Sequence, residues 1–223
     1  MKKIIASLLA SAALVAPVSA DPLKDSEYFT MHSMGCMLLQ ECTDEVKQVY
    51  NILDISSQYS NTDSFYSVAT EFNNMLNSLE MIGVKVFLAD QKYFPVGHRG
   101  VYHTVGNNFF LNKEFMGRPN VLMSVMRHEG WHAAQDCMAG TIDNSLIAII
   151  KPENEVPMLW SGIVESTYPE SVWPWEKEAT WAGKTEGMTS KALMACAKGN
   201  MWEVYEPTPL TREYLVKEGY ITK

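Results

Sequence analysis

Residues 119–140 constrain the fold of this chain more than any other segment, because their pattern predicts one long helix. Apolar residues recur in it at helical spacing, a proline stands near its beginning, and a glycine closes it. We therefore predict a helix over 119–139. Three polar residues, His128, Glu129 and His132, interrupt its apolar surroundings, and buried polar groups need partners.

These polar residues belong to the segment HEGWH, which fits the pattern H-E-x-x-H. Residues four apart lie on one face of a helix, so the imidazoles of His128 and His132 can converge on one Zn²⁺ ion. Glu129 lies one step round the same turn, where its carboxylate can reach a water molecule on the metal. The spacing therefore predicts a zinc site with Glu129 as the catalytic base. The alternative is that the three side chains lie on the surface of an ordinary amphipathic helix.

A catalytic zinc ion needs a third protein ligand in addition to the two histidines. On the same helix, Asp136 lies about 12 Å from His128, which is too far for both to reach one ion. The longer pattern HExxHxxGxxH would supply a third histidine, but Gln135 and Met138 occupy its glycine and histidine positions. The third ligand must therefore come from another segment.

The downstream segment WPWEKEATWAG supplies candidates for that ligand, on a helix that we predict over about 174–188. Glu176 and Glu178 stand two residues apart and point in different directions, so only one of them can face the metal. Glu165, in the preceding segment, is a third candidate. The residues alone leave this choice open.

The two predicted helices together resemble those of the gluzincins, the thermolysin-like group of zinc metallopeptidases. The second helix of that group carries a ligand glutamate, and a small residue follows three positions later. The resemblance implies that His128 and His132 are metal ligands. Glu129 would then be the general base and Glu176 the third ligand. The resemblance covers these helices only, and it implies the hydrolysis of peptide bonds.

The match to the gluzincin pattern has one departure. Ala179 stands at the small-residue position, but Thr180 stands where the family usually has an aspartate that orients a ligand histidine. Loss of such a partner typically lowers metal affinity or activity about tenfold or more. This departure, together with the lack of an identifiable oxyanion donor, is the reason to keep an alternative function, that of a non-catalytic exported binding or structural protein whose zinc site is structural or vestigial.

The rest of the chain predicts a single, mainly helical α+β domain over 21–223. Helical patterns over 43–57 and 64–81 precede a change of period, after which residues 84–112 predict a small antiparallel sheet of three strands. The gluzincin resemblance implies that this sheet lies beside the zinc helix and that its edge strand pairs with an extended substrate. The segment NNFFLN is the candidate for that edge.

Residues 1–20 have the pattern of a secretory signal peptide. Lys2 and Lys3 precede an apolar run, and small residues end at Ala20, where we expect cleavage. The run is too short to span a membrane, so the mature chain is expected to be secreted or periplasmic. Loss of the two lysines changes the net charge from −8 to −10, which disfavours binding to nucleic acid. The expected partner is a peptide or protein substrate.

Four cysteines follow this segment, and an even number predicts disulfides in an exported protein. We favour the pairs Cys36–Cys42 and Cys137–Cys196 over the two other pairings. A continuous helix over 36–42 would exclude the first pair, because its cysteines would lie about 9 Å apart along the axis.

Peptide hydrolysis also requires a hydrogen-bond donor for the oxyanion that develops on the scissile carbonyl. Four side chains near the predicted sheet and helices are candidates for this role, and their spacing favours none of them. They are His98, Tyr102, His103 and Tyr168.

Overall fold

The computed structural model describes residues 11–12, 31–42 and 44–222, and its fold is the mainly helical α+β class that the sequence predicts. The α-helices are α1 (Met31–Leu38), α2 (Ile52–Ser56), α3 (Ala69–Met81), α4 (Pro119–Met138), α5 (Met158–Thr167), α6 (Trp173–Lys184), α7 (Met188–Ala197), α8 (Met201–Val204) and α9 (Pro209–Lys217). The strands are β1 (Ser11–Ala12), β2 (Val46–Gln48), β3 (Lys85–Ala89), β4 (Gly100–His103) and β5 (Asn108–Asn112). Apart from β1, the predicted signal peptide lies outside the described residues.

The strands form one sheet in the order β1-β4-β5-β3-β2. β4 and β5 form the predicted antiparallel hairpin, but β3 pairs with β5 in parallel, with Val86 opposite Phe109. The prediction of a purely antiparallel sheet is therefore wrong, because residues 90–99 carry the chain past β5 before β4 begins. The same order places β5 in the interior of the sheet, so NNFFLN is not the edge that we expected.

The helix predicted over 43–57 is wrong in its first half. Residues Val46–Gln48 form β2, which pairs antiparallel with β3, and the helical part is Ile52–Ser56. Asn51 begins this helix with a capping box that it forms with Asp54. Local spacing favours a helix throughout the segment, but pairing with the sheet determines the conformation of β2.

Helix α4 lies at the centre of the fold, between α6 and α7 on one side and the sheet on the other. Its middle turns are buried all round. Gly183 lets α6 approach closely, because a Cβ atom there would lie 3.0 Å from the carbonyl oxygen of Ser124 and 3.2 Å from Cβ of His128. Gly100 brings β4 equally close, since its Cβ would lie 2.6 Å from Val125. The polar centre of α4 is thus enclosed between α6 and β4.

Two disulfides, Cys36–Cys42 and Cys137–Cys196, confirm the predicted pairing, with Cα–Cα distances of 5.1 and 5.9 Å. The first can form because α1 ends before Cys42 and Gln40 turns the chain back with a φ of 57°. The second joins the end of α4 to α7. Such bonds are consistent with an extracellular location. Within the described ranges, every helix is too short or too polar to cross a lipid bilayer.

Candidate metal centre

His128, His132 and Glu176 converge at the interface between α4 and α6. The Nε2 atoms of the two histidines lie 3.3 Å apart. The carboxylate of Glu176 lies 3.2 Å from Nε2 of His128 and 3.6 Å from Nε2 of His132. Each residue offers one ligand atom, and these atoms all lie within 4.8 Å of one another. This buried group could bind a metal ion.

Hydrogen bonds on the outer side of each imidazole fix the orientation of the two rings. Nδ1 of His132 lies 2.7 Å from Oε1 of Gln135, whose amide nitrogen donates to the backbone carbonyl of Trp175 at 3.2 Å. Because Oε1 can only accept, the ring proton of His132 resides on Nδ1. His128 donates to the backbone carbonyl of Ala179. Both Nε2 atoms therefore direct lone pairs towards Glu176, as ligation requires.

Burial determines the protonation of these groups. It lowers the pKa of His128 to about 3, and the charge of Lys184 lowers it further. It also lowers the pKa of His132 to about 4, although the charge of the Glu176 carboxylate acts in the opposite direction. Burial also raises the pKa of Glu176 to about 7, against His132 and a hydrogen bond from Tyr168. At neutral pH two neutral rings and a partly ionised carboxylate face one another. A cation between them would relieve the repulsion of their lone pairs.

Glu178 and Glu165, the rival candidates for the third ligand, lie in other surroundings. The carboxylate of Glu178 accepts hydrogen bonds from Nε1 of Trp131 at 3.0 Å and from the backbone N–H of Ile150 at 2.9 Å and of Lys151 at 3.2 Å. Glu165 is half-exposed and forms an ion pair with Lys177 at 2.8 Å. Of the three glutamates, Glu176 is the one that the fold brings to the histidine pair.

Glu129, the predicted catalytic base, is fully buried between α4 and β4. Its Oε2 atom accepts a hydrogen bond from the backbone N–H of Tyr102 at 3.0 Å. This contact depends on Gly100, because a Cβ atom there would lie 3.0 Å from Cγ of Glu129. Strand β4 therefore holds the carboxylate in place, one residue from the first histidine of the group.

Tyr102 also contacts Asp136, the acidic residue of α4 that lies too far from His128 for both to bind one ion. The Tyr102 hydroxyl donates to Oδ2 of Asp136 at 2.9 Å. Burial raises the pKa of Asp136 to about 8, against this hydrogen bond. Tyr102 thus contacts α4 at two positions, through its backbone at Glu129 and through its hydroxyl at Asp136.

The four candidate oxyanion donors have different positions and partners in the fold. Tyr168 is half-buried and donates a hydrogen bond to Glu176, which places its hydroxyl at the group. The hydroxyl of Tyr102 is engaged by Asp136. His98 precedes β4 and His103 ends it. Tyr168 is therefore the candidate with a direct contact to a residue of the possible metal site.

Sequence reasoning missed the roles of Gln135 and of the Ala179 carbonyl. Gln135 stands three residues after His132, a spacing that brings two side chains together on a helix, and this signal was present in the sequence. The Ala179 contact depends on how α6 packs against α4, and no local pattern encodes it.

Comparison with protein families, with curated proteins and with solved structures finds no significant match to this chain. The resemblance to gluzincins consequently remains a prediction that depends on the two helices alone. The arguments for function come from the geometry of the His128, His132 and Glu176 group and from its surroundings.

Proposed function

We propose that the protein is an exported zinc-dependent metallopeptidase, in which His128, His132 and Glu176 hold the ion. The observation that carries this proposal is the convergence of two Nε2 lone pairs and one carboxylate in a buried position. Two imidazoles and a carboxylate are a ligand set of catalytic zinc sites, which keep a further position open. The disulfides support export, because such bonds persist in oxidising compartments.

A zinc ion bound by these residues would supply Lewis acidity and a water molecule of lowered pKa. In the proposed reaction, the Glu129 carboxylate takes the proton of the attacking water and passes it to the leaving amine. The backbone N–H of Tyr102 holds Oε2 of Glu129 during this transfer. The hydroxyl of Tyr168 has a single proton, so it would donate to the oxyanion only after its hydrogen bond to Glu176 is released.

The residues around the two histidines also compensate for the aspartate that is replaced by Thr180. In the family pattern an aspartate at that position orients a ligand histidine, whereas here Gln135 and the Ala179 carbonyl accept from the two rings. Each ring therefore has the outer hydrogen bond that fixes its tautomer. This substitution of partners supports a functional site rather than a vestigial one.

The second candidate function is a non-catalytic exported protein with a structural zinc site. Its support is the deep burial of the group, since the side chains of His132, Glu176 and His128 are 0 %, 2 % and 7 % exposed. A substrate must reach the ion past the edge of His128, the most exposed of the three.

Two measurements separate these functions. Protein purified without added zinc should contain about one metal ion per chain. The Glu129→Gln variant should retain that ion and lose hydrolysis of casein or a peptide library by about 10²–10⁴-fold. The matched control is Glu186→Gln, at an exposed position, which should cleave as the parent does.

The outcomes discriminate clearly. Bound zinc in a parent protein that cleaves no peptide favours the structural alternative. Absence of zinc from the purified and reconstituted protein contradicts both functions. A Glu129→Gln variant that hydrolyses peptides as fast as the parent contradicts the assignment of the general base.

A further inference from the structure

Two basic residues, Arg99 and Lys184, lie on either side of the first half of α4; we call them the cationic pair. Lys184 ends α6, and Arg99 immediately precedes β4. Lys184 follows Gly183, which lies against His128. Arg99 precedes Gly100, which lies against Glu129. The cationic pair therefore borders the same stretch of helix as the ligands and the proposed base.

Lys184 follows Gly183, which lies against His128, the most exposed member of the group. Its Nζ atom donates to Oγ of Ser124 at 2.9 Å, and Ser124 stands one helical turn before His128. The lysine is exposed, and its charge contributes to the lowered pKa of His128. Because His128 is the most exposed member of the group, a molecule that approaches from solvent passes close to Lys184.

Arg99 is half-buried, and its guanidinium lies 5.2 Å from the centre of the Phe115 ring. Its Nε atom is buried and makes no hydrogen bond to any of the described residues. Burial is the main cause that lowers the pKa of both residues. The charge of Arg118 lowers the pKa of Arg99 further, and the charges of Arg99 and Arg127 lower that of Lys184 further. The charge of Arg99 thus acts on Lys184, and Nε of Arg99 is an unused donor among the described residues.

Two other cations close to the centre, Arg127 and Lys177, are neutralised by acids, unlike the cationic pair. Arg127, also on α4, donates to both carboxylate oxygens of Glu71 at 2.7 and 2.5 Å. Lys177, on α6, contacts Glu153 and Glu165. Within the described ranges, by contrast, neither member of the cationic pair forms an ion pair with an acid.

We propose that Arg99 and Lys184 form a subsite for a carboxylate of the substrate, next to the metal centre. The inference rests on the proposed function and adds the class of substrate. A guanidinium offers a planar fork of donors that matches a carboxylate, and an ammonium adds a second charge. An anion bound there would satisfy Nε of Arg99 and neutralise the repulsion between the two cations. The protein would select peptides that present a carboxylate to this subsite, although its own net charge is −8.

A peptide can supply this carboxylate from an acidic side chain or from its free C-terminus. The binding experiment separates the two sources with variants of one peptide. One variant replaces its Glu with Gln, and another replaces its free C-terminus with an amide. The protein is the full chain, loaded with zinc and carrying Glu129→Gln so that peptides stay intact. Affinity for each peptide is measured by titration calorimetry.

The expected result is a loss of affinity for the peptides that carry the carboxylate, and not for their neutral counterparts. Arg99→Gln together with Lys184→Gln should weaken binding of the carboxylate-bearing peptide by about 10–100-fold, because hydrogen bonds to charged groups are among the stronger ones. Binding of its neutral counterpart should change by less than about threefold. Zinc content should stay the same. Lys198→Gln, which removes an exposed lysine elsewhere, should leave all affinities unchanged.

The proposal is overturned if the double variant weakens charged and neutral peptides equally, or if it weakens neither. It is also overturned if the zinc-loaded Glu129→Gln protein does not distinguish Glu from Gln or free from amidated ends. These outcomes are independent of catalysis, since binding is measured on an inactive variant. A parent protein that binds acidic peptides but cleaves none would contradict the metallopeptidase proposal and leave the subsite standing.

Discussion

Glu176 and Glu178 stand two residues apart on α6, and both are almost fully buried, yet their surroundings are opposite in kind. Around Glu178 lie donors, namely the indole of Trp131 and two backbone N–H groups. Around Glu176 lie the Nε2 atoms of His128 and His132, both oriented as acceptors by partners on their outer sides. Several donors satisfy the Glu178 carboxylate, whereas the Glu176 carboxylate receives one hydrogen bond, from Tyr168, and faces two acceptors that a cation would join to it.

This comparison shows why burial alone does not identify a functional glutamate. Burial raises the pKa of both side chains, to about 7 for Glu176 and to about 8 for Glu178. The polarity of the neighbours distinguishes them. One glutamate is a structural acceptor between α4, α6 and the chain near Ile150, and the other is suited to ligate an ion.

The largest expected difference between the two glutamates is in metal affinity. Glu176→Gln should weaken zinc binding by more than about 100-fold, since loss of even an outer partner typically weakens it 10–100-fold. Glu178→Gln should weaken it by no more than about tenfold, because this side chain reaches His132 only through Gln135. Competition with a chromogenic chelator measures both affinities. Equal losses in the two variants would contradict the distinction between them.

A smaller effect is expected from the contact that brings Glu176 to α4. Gly183→Ala should lower the free energy of unfolding by about 1–3 kcal/mol, because the new methyl group meets the Ser124 carbonyl and Cβ of His128. Gly162→Ala is the matched control, since its Cβ would meet no atom within 4 Å. Urea denaturation of the zinc-free proteins measures the difference. Identical behaviour of the two variants would show that α6 is not held at this distance by packing.

A third difference concerns the pH dependence of stability, and it isolates Glu178. Its raised pKa means that the folded protein keeps a proton that the unfolded chain releases above 4.5. Between 4.5 and about 8 the unfolded state therefore binds fewer protons, and stability decreases as pH rises. Glu178→Gln should remove this contribution, which is at most about 1.4 kcal/mol per pH unit.

The pH experiment compares unfolding of the parent and Glu178→Gln in chelator across that window. Glu186→Gln should follow the parent, because its side chain is exposed. Parallel curves for the parent and Glu178→Gln would indicate that Glu178 is ionised throughout, held so by its three donors.

The sequence predicts the parts of the site that depend on local spacing. The helix expected over 119–139 extends over Pro119–Met138, and its two histidines meet as four-residue spacing requires. The choice between Glu176 and Glu178 was left open, because it depends on the rotation of α6 about its axis. That rotation is determined by packing at Gly183 and by the donors around Glu178.

The errors in the fold prediction have the same origin. Val46–Gln48 have helical spacing but pair with β3, and β3 pairs with β5 rather than with the next strand in the chain. Both are contacts between distant segments, which override local preference. The sequence points only to the hydroxyl of Tyr102. In the structure its backbone N–H holds Glu129, because β4 passes beside α4.

The Cys137–Cys196 bond closes a loop of the chain that contains α6 and therefore Glu176, and it begins five residues after His132. On a chain-entropy account, a loop of this length restricts the unfolded state by about 4 kcal/mol. In the oxidised chain Glu176 consequently stays tethered near the histidines even when the tertiary structure is lost. Formation of this disulfide would thus raise the local concentration of Glu176 near the histidines, so that binding of an ion and refolding reinforce each other.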